Sequence, residues 1–271
     1  MAIASLASAC AVLSVFVVAR RWAFIGEGIS HSGFGGAGLA WLLMLAAPSL
    51  AESAWVPQAI VAVFCLGTAL AIGYLSRGSR VTGDAAIGIF LVASLAFGFL
   101  AKQVFLHVRG VEPVGFNAML FGELGVIGPR AAVAIVCASA ALLAVVAALG
   151  KEILAYCFDP LMAQASGVRS AAMHYLLMIL IAVAVMIGMP VIGAPLVTAL
   201  IVLPGVTATQ LAQRLGRVIA LAVTAAVVAA AVGVTLHARW RFVPTGPAIV
   251  LTLFAEFLLA YAWGHLRGGR G

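Results

Sequence analysis

Residues 131–149 read AAVAIVCASAALLAVVAAL, nineteen positions without a charge, a glycine or a proline. As a helix rising 1.5 Å per residue, the run would extend about 28 Å, close to the ~30 Å hydrocarbon core of a bilayer. Unbroken Ala, Leu, Val and Ile favour a helix, because a barrel strand would show about ten residues of alternating polarity. The rest of the chain has the same character. Of 271 residues, 65% are hydrophobic and 8% charged, and the mean hydropathy is +1.22. A soluble domain carries about 25% charged residues, so this chain has too few polar side chains to cover a water-facing surface. A bilayer suits it, provided each span satisfies its own backbone hydrogen bonds. The expected architecture is all-α: one polytopic transmembrane bundle over residues 1–271.

Charges, Gly and Pro divide the apolar sequence into about nine spans, with eight or ten as alternatives. They cover residues 1–20, 24–46, 56–75, 85–106, 131–149, 172–188, a stretch ending near 212, 218–236 and 246–264. Pro190, Gly193 and Pro195 mark the break between the sixth and seventh. A short helix is expected within 115–128, and the most hydrophilic internal segment is the loop 151–170. Span one begins at Met1 with almost no leader, so either its outer end is thinly supported or translation starts upstream.

The net charge of +7 fits a basic cytoplasmic face. With the 151–170 loop in the cytoplasm, that side holds Arg20, Arg21, Arg77, Arg80, Lys151, Arg169, Arg214, Arg217, Arg267 and Arg270. The other side holds Lys102, Arg109, Arg130, Arg239 and Arg241. Ten against five places the N-terminus outside and the C-terminus inside. No basic stripe with interleaved aromatics occurs, so nucleic acid is not an expected partner. Cys10, Cys65, Cys137 and Cys157 form no CxxC and read as small buried hydrophobes.

No His-Glu-x-x-His, Gly-x-Ser-x-Gly or Walker A motif is present, and neither Lys102 nor Lys151 closes a phosphate loop. Any ATP-driven work therefore needs a partner to supply the motor. Ionisable residues inside a membrane are costly and mark functional positions. Glu27 and His31 stand out at i, i+4, on one helix face. A carboxylate and an imidazole at that spacing suit a divalent cation such as zinc, manganese or ferrous iron. The alternative is that they only satisfy each other. His31 lies ten residues past Arg21, roughly 15 Å into the span, near mid-membrane where transport sites are common. Gly28, Ser32, Gly36 and Ala40 form a small-residue stripe for close helix packing on the same span.

The remaining candidates read as bland. His107 and Glu112 flank the outer end of span four, as His237 does span eight. His174 is expected at the cytoplasmic interface and His265 in the tail. Glu256, alone in the last span, is expected to cap a polar contact with another helix.

The stretch RRWAFIGEGISHSG (residues 20–33) resembles the signature opening of zinc/manganese/iron-type ABC transporter permeases, Arg-Arg, a few apolar residues, then Gly-Asp-x-x-Ser-His. FDPLMAQASG (158–167) is similar to the family's Phe-Asp-Pro-x-x-Ala-x-x-x-Gly loop. GAPLVTALIVLPGVTA (193–208) is similar to its Gly-x-x-Leu-x-x-Ala-Leu-x-x-x-Pro-x-x-x-Ala block, and LFG (120–122) falls where a Leu-Phe-Gly is expected. The blocks occur in family order across roughly residues 15 to 210.

The resemblance implies a bacterial inner-membrane importer. Its assembly would hold two permease protomers (identical or homologous), two ABC ATPase subunits and an extracytoplasmic metal-binding protein, all amid membrane lipid. It implies no resident cofactor, only the transported divalent metal ion. Glu27 and His31 match the signature acid and histidine that line the metal path. Residues 159–167, with Asp159, Pro160, Ala163 and Gly167, match the coupling helix that docks on the ATPase. Asp is a good N-cap, Pro suits the first turn and Gly a C-terminal stop. Glu27 departs from the usual Asp and reaches one methylene further, which bears on metal preference. Other readings are a permease for a metal chelate, an ATP-independent channel or carrier, a scaffold, and a membrane-embedded enzyme. Because a ligating imidazole is neutral, and imidazole in water titrates near pH ~6.5, uptake is expected to fall below pH ~6.

Overall fold

A computed structural model describes residues 2–48, 55–78, 81–113, 128–240 and 242–268. The helices are α1 (Ala2–Ala19), α2 (Ile25–Ala46), α3 (Val56–Gly78), α4 (Gly83–Arg109), α5 (Pro129–Phe158), α6 (Pro160–Ala165), α7 (Ser170–Ile192), α8 (Ala194–Leu211), α9 (Leu215–Arg239) and α10 (Thr245–Gly268). Among the described residues, nine of these are long and apolar enough to cross a membrane, all but α6. The expected short helix within 115–128 and the LFG at 120–122 lie outside the described residues.

Two boundaries differ from the sequence reading. α5 runs to Phe158, well past residue 149, and takes in Lys151 and Glu152. Its 30 residues extend about 45 Å, more than the ~30 Å core. At the Phe158 end Lys151 is exposed, while Glu152 Oε2 is buried without a hydrogen-bond partner. α7 passes through Pro190 and ends at Ile192. Proline costs a helix one donor, but neighbouring spans tolerate this inside a membrane bundle. The break comes at Gly193, whose φ of +86° suits a residue without Cβ. α8 restarts at once with Pro195 in its first turn.

Burial sorts the helices into an interior and a rim. In α1, α2 and α7, 61% of the apolar window is buried, against 22% in α5 and 17% in α10. α1 packs against α5, α8 and α9, and α2 is enclosed by α3, α4, α7 and α8. Leu6, Leu13, Ile25, Ile29, Ile181, Leu196 and Leu200 are fully buried at these contacts. Between membrane helices the gain is dispersion from close packing, because lipid is as apolar as the core.

The approach of α2 to its neighbours depends on missing side chains. Gly28, Ser32, Gly36 and Ala40 are all buried. A Cβ on Gly28 would lie 2.8 Å from Ile87 Cγ2, and one on Gly36 would lie 2.9 Å from Val61 Cα. α4 reciprocates at Gly98, where a Cβ would meet the Phe34 carbonyl oxygen at 2.7 Å. Cys10, Cys65 and Cys157 are buried, but Cys137 is exposed, because α5 lies at the rim of the bundle with only 22% of its apolar window buried.

Candidate metal site and the cytoplasmic helix

The chain leaves α1 through a tight reversal with Arg21 at φ +58°. The Trp22 carbonyl accepts from Ile25 N–H at 3.0 Å as α2 begins. Glu27 falls in the first turn of α2 and His31 one turn further on. His31 Nε2 and Glu27 Oε1 are 2.7 Å apart. A carboxylate accepts, so Nε2 carries the proton and donates. The other ring nitrogen, Nδ1, is buried without a hydrogen-bond partner. In that tautomer Nδ1 presents an unused lone pair, the feature a metal ligand requires.

Further polar groups surround the pair. Ser30 Oγ lies 3.3 Å from Thr198 Oγ1 on α8. The Thr198 hydroxyl is offered both the Ala194 carbonyl, at 3.1 Å, and the Glu27 carboxylate. The Phe34 ring sits 5.7 Å from the His31 ring and closes one side. The side chains keep partial access, 18% for His31 and 34% for Glu27. Thr198 and Ser30 carried no role in the sequence reading. Their signal was present, since both stand inside the matched motif blocks.

α6 joins α5 to α7. Asp159 Oδ1 accepts from Leu161 N–H at 2.9 Å and Met162 N–H at 3.0 Å, filling two of the helix's orphan donors. Pro160 occupies the first turn. The stop is a Schellman arrangement: Val168 N–H reaches the Ala163 carbonyl, Gly167 N–H the Gln164 carbonyl, and Gly167 takes φ +85°. Ala163 packs inward, whereas Phe158 (76% exposed), Leu161 (77%) and Met162 (66%) face outward. Ser170 Oγ donates to the Pro160 carbonyl at 2.8 Å and ties α7 to the start of α6.

Several other expectations change. His174 is buried within the bundle, 3% exposed. Its Nε2 donates to the Gly73 carbonyl at 2.9 Å and its Nδ1 accepts from the Tyr156 hydroxyl at 2.7 Å. The ring is withdrawn from solvent because α3, α5 and α7 converge there and satisfy both nitrogens. Glu256 caps nothing through Oε2, which is buried without a partner. It faces a cavity of about 560 Å³ between α8, α9 and α10, where the Thr207 hydroxyl is also unpartnered. Glu112 pairs with Lys102 at 2.9 Å. His237 Nδ1 donates to the Val243 carbonyl at 2.8 Å, and the rings of His265 and Tyr261 lie 4.6 Å apart.

Among the described residues the fold is a bundle of apolar helices long enough to cross a membrane, with a carboxylate–imidazole pair on a buried helix and a short capped helix between α5 and α7. The chain belongs to the ABC 3 transport family, whose model matches residues 1–264. It is a multi-pass protein of the bacterial inner membrane. It is 30% identical to a probable iron transport system membrane protein of Haemophilus influenzae, over 95% of this chain and 89% of that one. It is 30% identical to the manganese transport system membrane protein MntC of Halalkalibacterium halodurans, over 96% and 84%. With the zinc transport system membrane protein TroC of Treponema pallidum the identity is 28%, over 93% and 83%. The solved structure of PsaBC from Streptococcus pneumoniae in complex with Fab superposes with a TM-score of 0.78 at 26% identity, covering 96% of this chain and 88% of that one.

Proposed function

We propose that this chain is the membrane permease of an ABC importer that takes up a divalent transition-metal ion, zinc, manganese or ferrous iron, by alternating access. The observation that carries the reading is the Glu27–His31 pair, with the His31 Nδ1 lone pair buried and unused. Iron, manganese and zinc in the relatives' names support the same cargo. A bare cation suits a carboxylate and an imidazole better than a bulky chelate does.

One protomer supplies too few ligands. Among the described residues no group of three or more His, Cys, Asp or Glu side chains comes together. Zinc takes about four ligands and manganese commonly about six. A second protomer related by a two-fold axis would double the two ligands to four, with Thr198, Ser30 and water completing the shell. Metal would arrive from an extracytoplasmic binding protein, meet Glu27 and His31, and leave when the cytoplasmic side opens.

The energy enters at α6. The chain has no Walker A loop, so two ABC ATPase subunits bind and hydrolyse ATP outside it. Phe158, Leu161 and Met162 project from this end as an apolar face fit to seat in an ATPase groove. Closure of the ATPases then moves α6 and the helices joined to it as rigid bodies.

The test is metal accumulation by cells carrying the permease with its ATPase and binding protein, compared for zinc, manganese and iron. Loss of one metal in His31→Ala, at equal membrane levels, supports the ligand role and identifies the cargo. Unchanged accumulation reduces Glu27 and His31 to a structural pair.

A further inference from the structure

The buried His174 cluster lies outside the candidate metal site, yet it joins the parts that a transport stroke has to join. Tyr156 stands three residues before Asp159, the N-cap of α6. His174 stands four residues after Ser170, which is bonded back to Pro160. Their 2.7 Å hydrogen bond therefore clamps α5 to α7 just above α6. With the Asp159 cap and the Ser170 bond, the end of α5, all of α6 and the start of α7 form one hydrogen-bonded unit.

The unit is connected upward by the same ring. His174 Nε2 donates to the Gly73 carbonyl of α3, and a Cβ on Gly73 would crowd Nε2 at 3.3 Å. Trp22 meets the His174 ring edge-on, with centroids 5.3 Å apart. The Arg20 guanidinium lies over both the Trp22 ring, at 5.1 Å, and the Tyr156 ring, at 4.6 Å. Trp22 is 7% exposed, and its carbonyl accepts the first hydrogen bond of α2. Glu27 follows five residues later on the same rigid helix. The continuous physical path thus runs from α6 through Tyr156 and His174 to Trp22, then along α2 to Glu27 and His31.

Both ring nitrogens have fixed roles in this path. The Gly73 carbonyl only accepts, so Nε2 carries the proton and Nδ1 accepts from the Tyr156 hydroxyl. A displacement of α6 that carries Tyr156 breaks or drags the ring, because no second partner for either nitrogen is in place.

We propose that Tyr156 and His174 are positioning residues that transmit movement of α6 to α2, and so set how much metal is moved per ATP hydrolysed. The proposal rests on the permease reading above. Its test uses the full complex of permease, ATPase and binding protein in proteoliposomes, with Mn(II), Zn(II) and Fe(II) as probes and both uptake and ATP hydrolysis recorded. Tyr156→Phe is the informative variant, because it keeps the ring under Arg20 and deletes only the hydroxyl. The ratio of metal moved to ATP hydrolysed is expected to fall about threefold to tenfold, roughly what loss of one buried hydrogen bond of about 1 kcal/mol produces. Complex assembly and ATP hydrolysis without binding protein should stay at the native level.

His174→Gln provides the rescue arm, since its amide can donate to Gly73 and accept from Tyr156. It should hold the ratio closer to native than His174→Leu does, and Tyr156→Phe/His174→Leu should fall no further than His174→Leu alone. A native ratio in Tyr156→Phe overturns the proposal, and so does a parallel drop in uptake and hydrolysis with the ratio preserved. If the native complex moves none of the three metals while it hydrolyses ATP, the permease reading itself fails and takes the proposal with it.

Discussion

His31 Nε2 donates its proton to Glu27 Oε1 at 2.7 Å, which leaves Nδ1 buried with its lone pair unused. Glu27 thereby fixes the tautomer as well as offering an oxygen, the role a carboxylate beside a ligating histidine commonly takes. Glu27→Gln keeps the shape but removes the charge, and its amide can also present a donor to Nε2. Uptake by Glu27→Gln is expected to fall at least about tenfold, the range for losing such a partner. Glu27→Asp keeps the charge and withdraws the oxygen by one methylene. It should retain uptake while changing the order of preference among zinc, manganese and iron. Competition assays with paired metals read this directly, and an unchanged order would remove Glu27 from the selectivity argument.

Proton competition follows from the same pair. A proton on Nδ1 occupies the lone pair that would hold the metal, and it turns the pair into an ion pair satisfied without cargo. Uptake is therefore full at higher pH and lost as pH falls. The measurement is uptake from about pH 7.5 to about pH 5.5 with the binding protein saturated throughout. A flat profile would count against His31 as a ligand.

The nine candidate spans among the described residues were readable in the sequence because membrane burial depends on composition over about twenty residues, which a linear scan captures. The Glu27–His31 contact was readable for the same local reason, since i, i+4 proximity is a property of one helix. Contacts between helices were not. His174 looks interfacial along the chain, and only the convergence of Gly73 and Tyr156, 101 and 18 residues away, buries it. Pro190 looks like a break, but tertiary packing carries α7 past it to Gly193. Thr198 acquires a role only when α8 is laid beside α2.

The small-residue face of α2 predicts a packing phenotype. At Gly36 a new side chain meets the Val61 backbone at 2.9 Å, and backbone cannot rotate away as a side-chain tip can. Gly36→Val should separate α2 from α3 and destabilise the bundle by about 1–3 kcal/mol, the usual cost of overpacking. Gly28→Ala would set its methyl 2.8 Å from Cγ2 of the buried, β-branched Ile87, which is stiff at χ1, and should cost less only because it adds one methyl where Gly36→Val adds three carbons. Thermal denaturation of the detergent-purified variants ranks the two. The reverse order would mean that α2 and α3 yield more easily than the Ile87 side chain.

α6 is six residues long, too short to hold itself together in water, so its ends decide whether it exists. Asp159→Ala removes an acceptor that serves both Leu161 and Met162 N–H, at a cost of about 1 kcal/mol. The helix then frays from its N-terminus, where Leu161 and Met162 are exposed. Asp159→Asn retains an amide oxygen in the same place and should preserve most of the helix. Leu161→Asp tests the face without touching the cap, since Leu161 is 77% exposed and carries little of the bundle's packing. Co-purification of the ATPase with the permease should be weakened by Asp159→Ala and by Leu161→Asp, and nearly retained by Asp159→Asn. Weakening by Leu161→Asp alone would mean that the docking face tolerates a frayed helix; full retention by all three would place the ATPase contact elsewhere on the chain.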